Sequence, residues 1–223
     1  DDLITVEKFS TGIYGGKVVA DGTTIRLGPA PEARPFTAKV QVQGLEVAQA
    51  LAARTPKQVL TGKFNGNVDV QGVGYTPDKL QQTLLGGING NLLEGTFLGK
   101  DLVSSVTGPL AKAVPFAKAL KSGDVTSLGG DLPFSVTIKN GVAQLSKPIT
   151  WTRPEAAMSF DGGIGLDGTL DLTGGVSLTP ATIKTLTVGK VTPTEAIPVG
   201  LKISGKAWSP EVTGIDVKPA ATT

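Results

Sequence analysis

Residues 158–178 read "MSFDGGIGLDGTLDLTGGVSL", and every even-numbered position in that run is apolar or glycine, from Met158 and Phe160 to Val176 and Leu178. Every odd-numbered position is Ser, Asp, Thr or Gly. Successive side chains of a strand point to opposite faces of its sheet, so a period of two prescribes one wet face and one dry face. The run is too long for one ordinary strand. It therefore predicts a strand pair, turning near Asp161-Gly162 or Asp167-Gly168, whose dry face continues from end to end.

The same alternation recurs along the chain. "RPFTAKVQVQG" sets Phe36, Ala38, Val40 and Val42 against Thr37, Lys39, Gln41 and Gln43, and "GKFNGNVDVQGVG" sets Val68 and Val70 against Asn67, Asp69 and Gln71. "LPFSVTIKNGVAQLS" reads as a hairpin turning at Asn140-Gly141, and "IPVGLKISGKAW" as the last strand. In the opening segment, strand breaks are expected at Thr11-Gly12 and at Asp21-Gly22.

Helical spacing interrupts this pattern in four places. "GLEVAQALAARTPKQVL" predicts a helix that ends at Thr55-Pro56, and "TPDKLQQTLL" one that Thr76 caps with Pro77 in its first turn. In "DLVSSVTGPLAKAVPFAKALKSGD", Asp101 caps, Leu102, Val106 and Leu110 share a face, and Gly108-Pro109 and Pro115 are expected to kink or divide the helix. A fourth, short helix is expected in "TPATIKTL".

Strands and helices do not alternate as a parallel sheet requires. The expected fold is α+β and mostly β: one large curved antiparallel sheet, a taco or open trough or an incomplete barrel, with a few amphipathic helices on its apolar side. Residues 1–223 are expected to form a single domain, with a mixed strand and helix half over 1–130 and an antiparallel meander over 131–223. Glycine, at 30 of 223 residues, is roughly double the average share of about 7%. Many short strands joined by tight turns account for that.

Composition removes whole classes of chemistry. With no histidine and no cysteine, the chain has no zinc finger, thiol nucleophile, Ser-His-Asp triad or disulfide. What remains is scattered carboxylates and lysines in no catalytic constellation, so no enzyme, metal or cofactor is expected. The formal net charge of +2 is spread along the sequence, which leaves no footprint for nucleic acid. No apolar run approaches the roughly 20 residues of a membrane-spanning helix. The opening "DDLITVEKFS" lacks a signal peptide's basic and then apolar regions, so any export or anchoring element is expected upstream of residue 1.

The remaining motifs have plain structural readings. "GGINGNLLEG" and "GGIGLDG" do not lead into a helix carrying phosphate-loop chemistry and read as turn glycines. Asp161, Asp167 and Asp171 share one phase, yet two of them precede glycine, where a turn favours Asp for its own sake. The stripe of Leu102, Val106 and Leu110 reads first as core packing. The alternative is a place at the mouth of an apolar groove or at a membrane surface, and the neighbouring Lys112, Lys118 and Lys121 are too sparse to decide between them.

Four segments in matching order resemble the C-terminal region of the AsmA-like proteins of Gram-negative bacteria, a family that in the wider sense includes TamB-type relatives. They are "GIYGGKVVADGT", "LLGGINGNLLEGTFLGKDL", "FDGGIGLDGTLDLTGGVSL" and "IPVGLKISGKAWSPEV". The resemblance implies a periplasmic module, anchored in the inner membrane in the full-length protein, that conducts phospholipid toward the outer membrane and serves outer-membrane homeostasis without catalysis. The implied ligand is a phospholipid or another acyl-chain molecule, with an envelope protein as a possible partner. Phe160, Ile164, Leu166, Leu170, Leu172, Val176, Val199, Leu201 and Ile203 would then line an apolar groove. The alternative is a structural or assembly module, with a closed β core and strand edges that bind a partner protein. Alternation alone leaves the two open, because a trough and a sandwich both produce it.

Overall fold

The computed structural model describes residues 2–28, 30–52, 57–98, 101–113 and 125–217. The chain opens with β1 (Leu3–Ile13), β2 (Gly16–Arg26) and β3 (Pro35–Glu46), and a short 3-10 turn lies at Pro31–Ala33. There follow α1 (Val47–Ala52), β4 (Leu60–Val73), α2 (Pro77–Thr83), β5 (Leu85–Leu98) and α3 (Leu102–Ala113). The second half contains β6 (Val125–Ser127), β7 (Asp131–Lys139), β8 (Val142–Leu145), β9 (Ile149–Thr152), β10 (Ala156–Gly165) and β11 (Thr169–Leu178). It closes with α4 (Pro180–Leu186), β12 (Ile197–Lys206) and β13 (Ser209–Val217).

Among the described residues all strands join one antiparallel sheet, ordered β1-β2-β3-β4-β5-β7-β8-β10-β11-β12-β13. Short β6 pairs with β5, and β9 with β10. The order follows the sequence because each strand returns beside its predecessor, the cheapest connection for an antiparallel pair. The sheet does not close: β1 and β13 are its two edges.

Turn chemistry explains most boundaries. Asn140 and Gly141 both adopt positive φ, 51° and 74°, as the two-residue turn between β7 and β8 requires. Asp21-Gly22 does not turn the chain. Gly22, at φ +69°, lies within β2, where the pairing with β3 shifts register between Ala20 and Thr24. The first hairpin turns instead at Tyr14-Gly15, with φ of 49° and 72°, rather than at Thr11-Gly12. Asp-Gly announces a positive φ, and a bulge uses it as readily as a turn. Of the two candidate turns in residues 158–178, Asp167-Gly168 is the turn, while Asp161-Gly162 is inside β10.

The caps are where the sequence places them. Thr76 Oγ1 accepts from the Lys79 N–H at 3.4 Å, Asp101 Oδ1 from the Val103 N–H at 3.1 Å, and Thr179 Oγ1 from the Thr182 N–H at 3.3 Å. α3 is not divided at Gly108-Pro109 but runs on to Ala113. Leu102, Val103 and Val106 pack its first turns into the core, and tertiary packing outweighs one lost backbone donor. The expected stop at Thr55-Pro56, the division at Pro115, and Lys118 and Lys121 lie outside the described residues. β13 is absent from the sequence reading, since "SPEVTGIDV" alternates weakly and carries a proline near its start, a residue that edge strands tolerate.

Registers carry one face across the whole sheet. Residues directly opposite in neighbouring strands share a face, and Ala38, Val70, Gly86, Ile138, Ala143, Ile164, Leu170 and Gly205 form one row through eight strands. On this inner face glycines lie beneath aromatic rings. A Cβ on Gly90 would stand 2.5 Å from the Phe64 ring, one on Gly66 2.7 Å from it, one on Gly72 3.0 Å from Phe36, and one on Gly174 2.9 Å from Phe160. These four glycines are seats for those rings.

The buried cluster includes helix residues from one end of the sheet and continues along β11 and β12 to Leu170 and Ile203. α1 joins β3 to β4 and α2 joins β4 to β5, so the two helices lie at opposite ends of the strands, and counting the antiparallel turns onward puts α3 and α4 at the α1 end. There Leu102, Val103 and Val106 of α3 and Ile183 and Leu186 of α4 share one buried cluster with Trp151, Met158, Phe160, Val176, Leu178 and Val199.

Candidate functional site

A second row on the inner face runs Phe9, Ala20, Val40, Val68, Ile88, Val136 and Leu145, each opposite the next, across β1, β2, β3, β4, β5, β7 and β8. Every member is apolar. Phe9 is 54% exposed and the other six are half-buried, none reaching the burial of the α3–α4 cluster. The pleat makes this face: Thr37, Lys39, Gln41, Asn67, Asp69, Gln71 and Asn89 alternate to the other side. With neighbouring strands about 4.8 Å apart, six steps make a strip about 29 Å long. That is close to the hydrocarbon thickness of a bilayer, about 30 Å, and longer than one leaflet's share of it.

The residues predicted to line a groove divide into two groups. Phe160, Leu170, Val176, Val199, Leu201 and Ile203 are buried, Val176 fully so, and belong to the same cluster as the buried residues of α3 and α4. Protein atoms already cover these six. Leu172 is half-buried against the same cluster. Ile164 and Leu166, at 43% and 41% exposure, stand open near the α2 end. The open row through Val40, Val68 and Ile88 was not singled out from sequence. Its signal was present in the alternation of the first half, but periodicity does not tell which part of a dry face the helices leave uncovered.

At the α2 end two turns are tied together. The Leu166 N–H donates to the Gly141 carbonyl at 2.7 Å, and the Ala207 N–H to the Gly168 carbonyl at 2.8 Å. Lys206 Nζ donates to Asp167 Oδ2 at 2.7 Å, to the Asp167 carbonyl at 3.1 Å and to Thr169 Oγ1 at 2.8 Å. The Thr169 N–H and hydroxyl also donate to the Asp167 carboxylate, at 2.9 and 2.8 Å. The Lys206 hydrogen bond above all, then those from Thr169, hold the Asp167 carboxyl far below the usual carboxylate range. Asp171 pairs with Lys202 at 3.2 Å on the wet face, and Asp161 accepts from the Gly162 N–H at 2.7 Å. Each of the three carboxylates thus has a structural partner. Among the described residues no three His, Cys, Asp or Glu side chains gather as a metal site would need.

An open antiparallel sheet with a half-exposed apolar strip on one face defines a class of trough-like β domains. The AsmA family model matches residues 2–147, from the start of β1 through the end of β8, well over half of the sequence, and the chain belongs to that family. Membership agrees with a role in cell-envelope lipid transport or assembly. No curated protein and no solved structure matches the chain. Among the described residues no helix is long and apolar enough to cross a membrane.

Proposed function

We propose that this domain holds acyl chains along the uncovered strip of its inner face and conducts phospholipid across the periplasm, without catalysis, from an inner-membrane anchor in the full-length protein. The row from Phe9 through Leu145 is the observation that carries the reading. A continuous apolar strip longer than one acyl chain has no role in packing the cluster under α3 and α4. The α2 end, where Ile164 and Leu166 stand open, is its entrance. The buried six of the predicted set form the floor that keeps the trough's shape, and Leu172 borders them.

Energetics permit conduction. A chain of about 16 carbons leaving water gains roughly 0.8 kcal/mol per methylene, about 12 kcal/mol in all, and gives up a similar amount on leaving a bilayer. Transfer between membrane and trough is then nearly neutral, so lipid passes without being trapped.

Native mass spectrometry of the purified domain, with solvent extraction of whatever co-purifies, tests this. The expected result is phospholipid in near-stoichiometric amount, reduced at least tenfold by Val40→Asp, which puts a charge in the strip, and by Val40→Trp, which fills it. A lipid-free domain that also fails to take up added phospholipid overturns the reading.

A second reading has its own observation. β1 is an eleven-residue edge strand with Leu3, Ile4, Phe9 and Ile13 exposed. Long, apolar edges accept an added strand, so a partner protein of the envelope would dock there.

A further inference from the structure

β1 lies at one edge of the sheet, with Leu3, Ile4, Phe9 and Ile13 exposed along it. An edge strand carries a row of unpaired N–H and C=O groups, and the side chains beside that row decide what completes it. Near the middle of β1 stand Glu7 and Lys8, both exposed. Among the described residues neither forms an ion pair within the chain.

The phase of β1 reverses beside these two charges. Phe9 lies opposite Ala20, which lies opposite Val40, and Ile4 lies opposite Ile25, which lies opposite Phe36. Val40 and Phe36 are both on the inner face, so Phe9 and Ile4 are too. On a regular strand, residues as far apart as Ile4 and Phe9, an odd number of steps, point to opposite faces. The irregularity that β2 carries around Gly22, between Ala20 and Thr24, is therefore shared by β1 between Ile4 and Phe9. By the same pairings Thr11 is on the inner face, and Thr5 and Ser10 are on the outer one.

That reversal makes β1 complementary to itself. A twofold axis normal to the sheet sets two copies edge to edge and antiparallel, inner faces on the same side, and each residue must then meet one from its own face. Centred between Glu7 and Lys8, the axis puts Ile4 opposite Thr11 on the inner face and Thr5 opposite Ser10 on the outer face. Val6 meets Phe9, and Glu7 meets Lys8 twice, once on each side of the axis. With unbroken alternation the same register would set inner residues against outer ones. Shifting it by one residue either way sets Glu7 against Glu7 or Lys8 against Lys8, and like charges directly opposite are destabilising.

Resting on the reading of β1 as an edge open to an added strand, we infer that the strand it takes is β1 of a second copy of this chain, in the register that pairs Glu7 with Lys8. The apolar rows that end at Phe9 in each copy are then brought together at the axis, and two strips join on one continuous face.

Sedimentation velocity of the wild-type chain over a concentration series is compared with Glu7→Lys, Lys8→Glu and the double swap Glu7→Lys/Lys8→Glu. Both positions are exposed, and circular dichroism checks that each variant folds. The wild type is expected to dimerise. Each single change is expected to raise the dissociation constant by about tenfold or more, since it sets like charges opposite at both symmetric positions, and the double swap to return it to within about threefold of the wild type. Loss of apolar contact or of the fold does not produce that recovery. A dimer that the single changes leave unaltered, or that the double swap fails to restore, overturns the proposal. A monomeric wild type overturns it as well, and a fluorescent octapeptide of alternating Thr and Val then separates the two failures. Binding of that peptide leaves the edge open to a strand of another protein, whereas no binding removes the edge reading too.

Discussion

Asp167 shows how a residue that reads as a turn former in sequence becomes a fastener in three dimensions. Its carboxylate joins the β10–β11 turn to Lys206 at the end of β12, and that hydrogen bond is the main reason its pKa is depressed. A depressed pKa means that the folded state favours the ionised form, so the contribution to stability is complete above the unfolded pKa of about 3.9 and is lost as pH falls through and below that value. Thermal unfolding followed from pH 6 to pH 2 is expected to show a decline below about pH 4 that Asp167→Asn lessens. Identical pH profiles for the two proteins would remove Asp167 from the fastening role. Glycines at this scale also have individual tasks. Gly66 and Gly90 seat Phe64, Gly72 seats Phe36 and Gly174 seats Phe160, a pairing of small with large that alternation records only as two interchangeable dry-face residues.

Among elements, the helices separate floor from trough. α3 and α4 contribute to one buried cluster with residues from Leu132 through Ile203, whereas the strip through Val40, Val68 and Ile88 keeps partial access to solvent. Leu102→Ala, removing a 5% exposed side chain from α3, is expected to cost about 2–5 kcal/mol, while Ile164→Ala, at 43% exposure, is expected to stay within about 1 kcal/mol. Urea midpoints of the two variants measure the difference directly. Similar losses would mean that Ile164 is packed like a core residue and unsuited to line an entrance. Helix starts were legible in sequence because a cap is a local event: Thr76, Asp101 and Thr179 each bond an amide two or three residues away. The passage of α3 through Gly108-Pro109 was not legible, because the apolar contacts that hold the helix lie on distant strands.

Across the whole molecule, an open sheet leaves two edges, and β1, one of them, is mostly exposed. Unpaired backbone amides beside exposed Leu3, Ile4 and Phe9 make a template for another strand. Phe9→Lys places a charge there at little cost to the fold, since a surface substitution of this kind usually changes stability by about 0.5 kcal/mol or less. Sedimentation velocity is expected to show less self-association for this variant than for the wild type; unchanged association would place the contact elsewhere. The sequence by itself determined the strand period, the face each residue takes, the Asn140-Gly141 hairpin and the helix caps, because all of these depend on neighbours a few residues apart. Only the tertiary structure decided that Phe160, Val176 and Leu201 are covered while Val40, Val68 and Leu166 stay accessible, and that Asp21-Gly22 is a bulge. Burial depends on what packs across a face, and that partner is brought there by long-range pairing to which a period of two is blind.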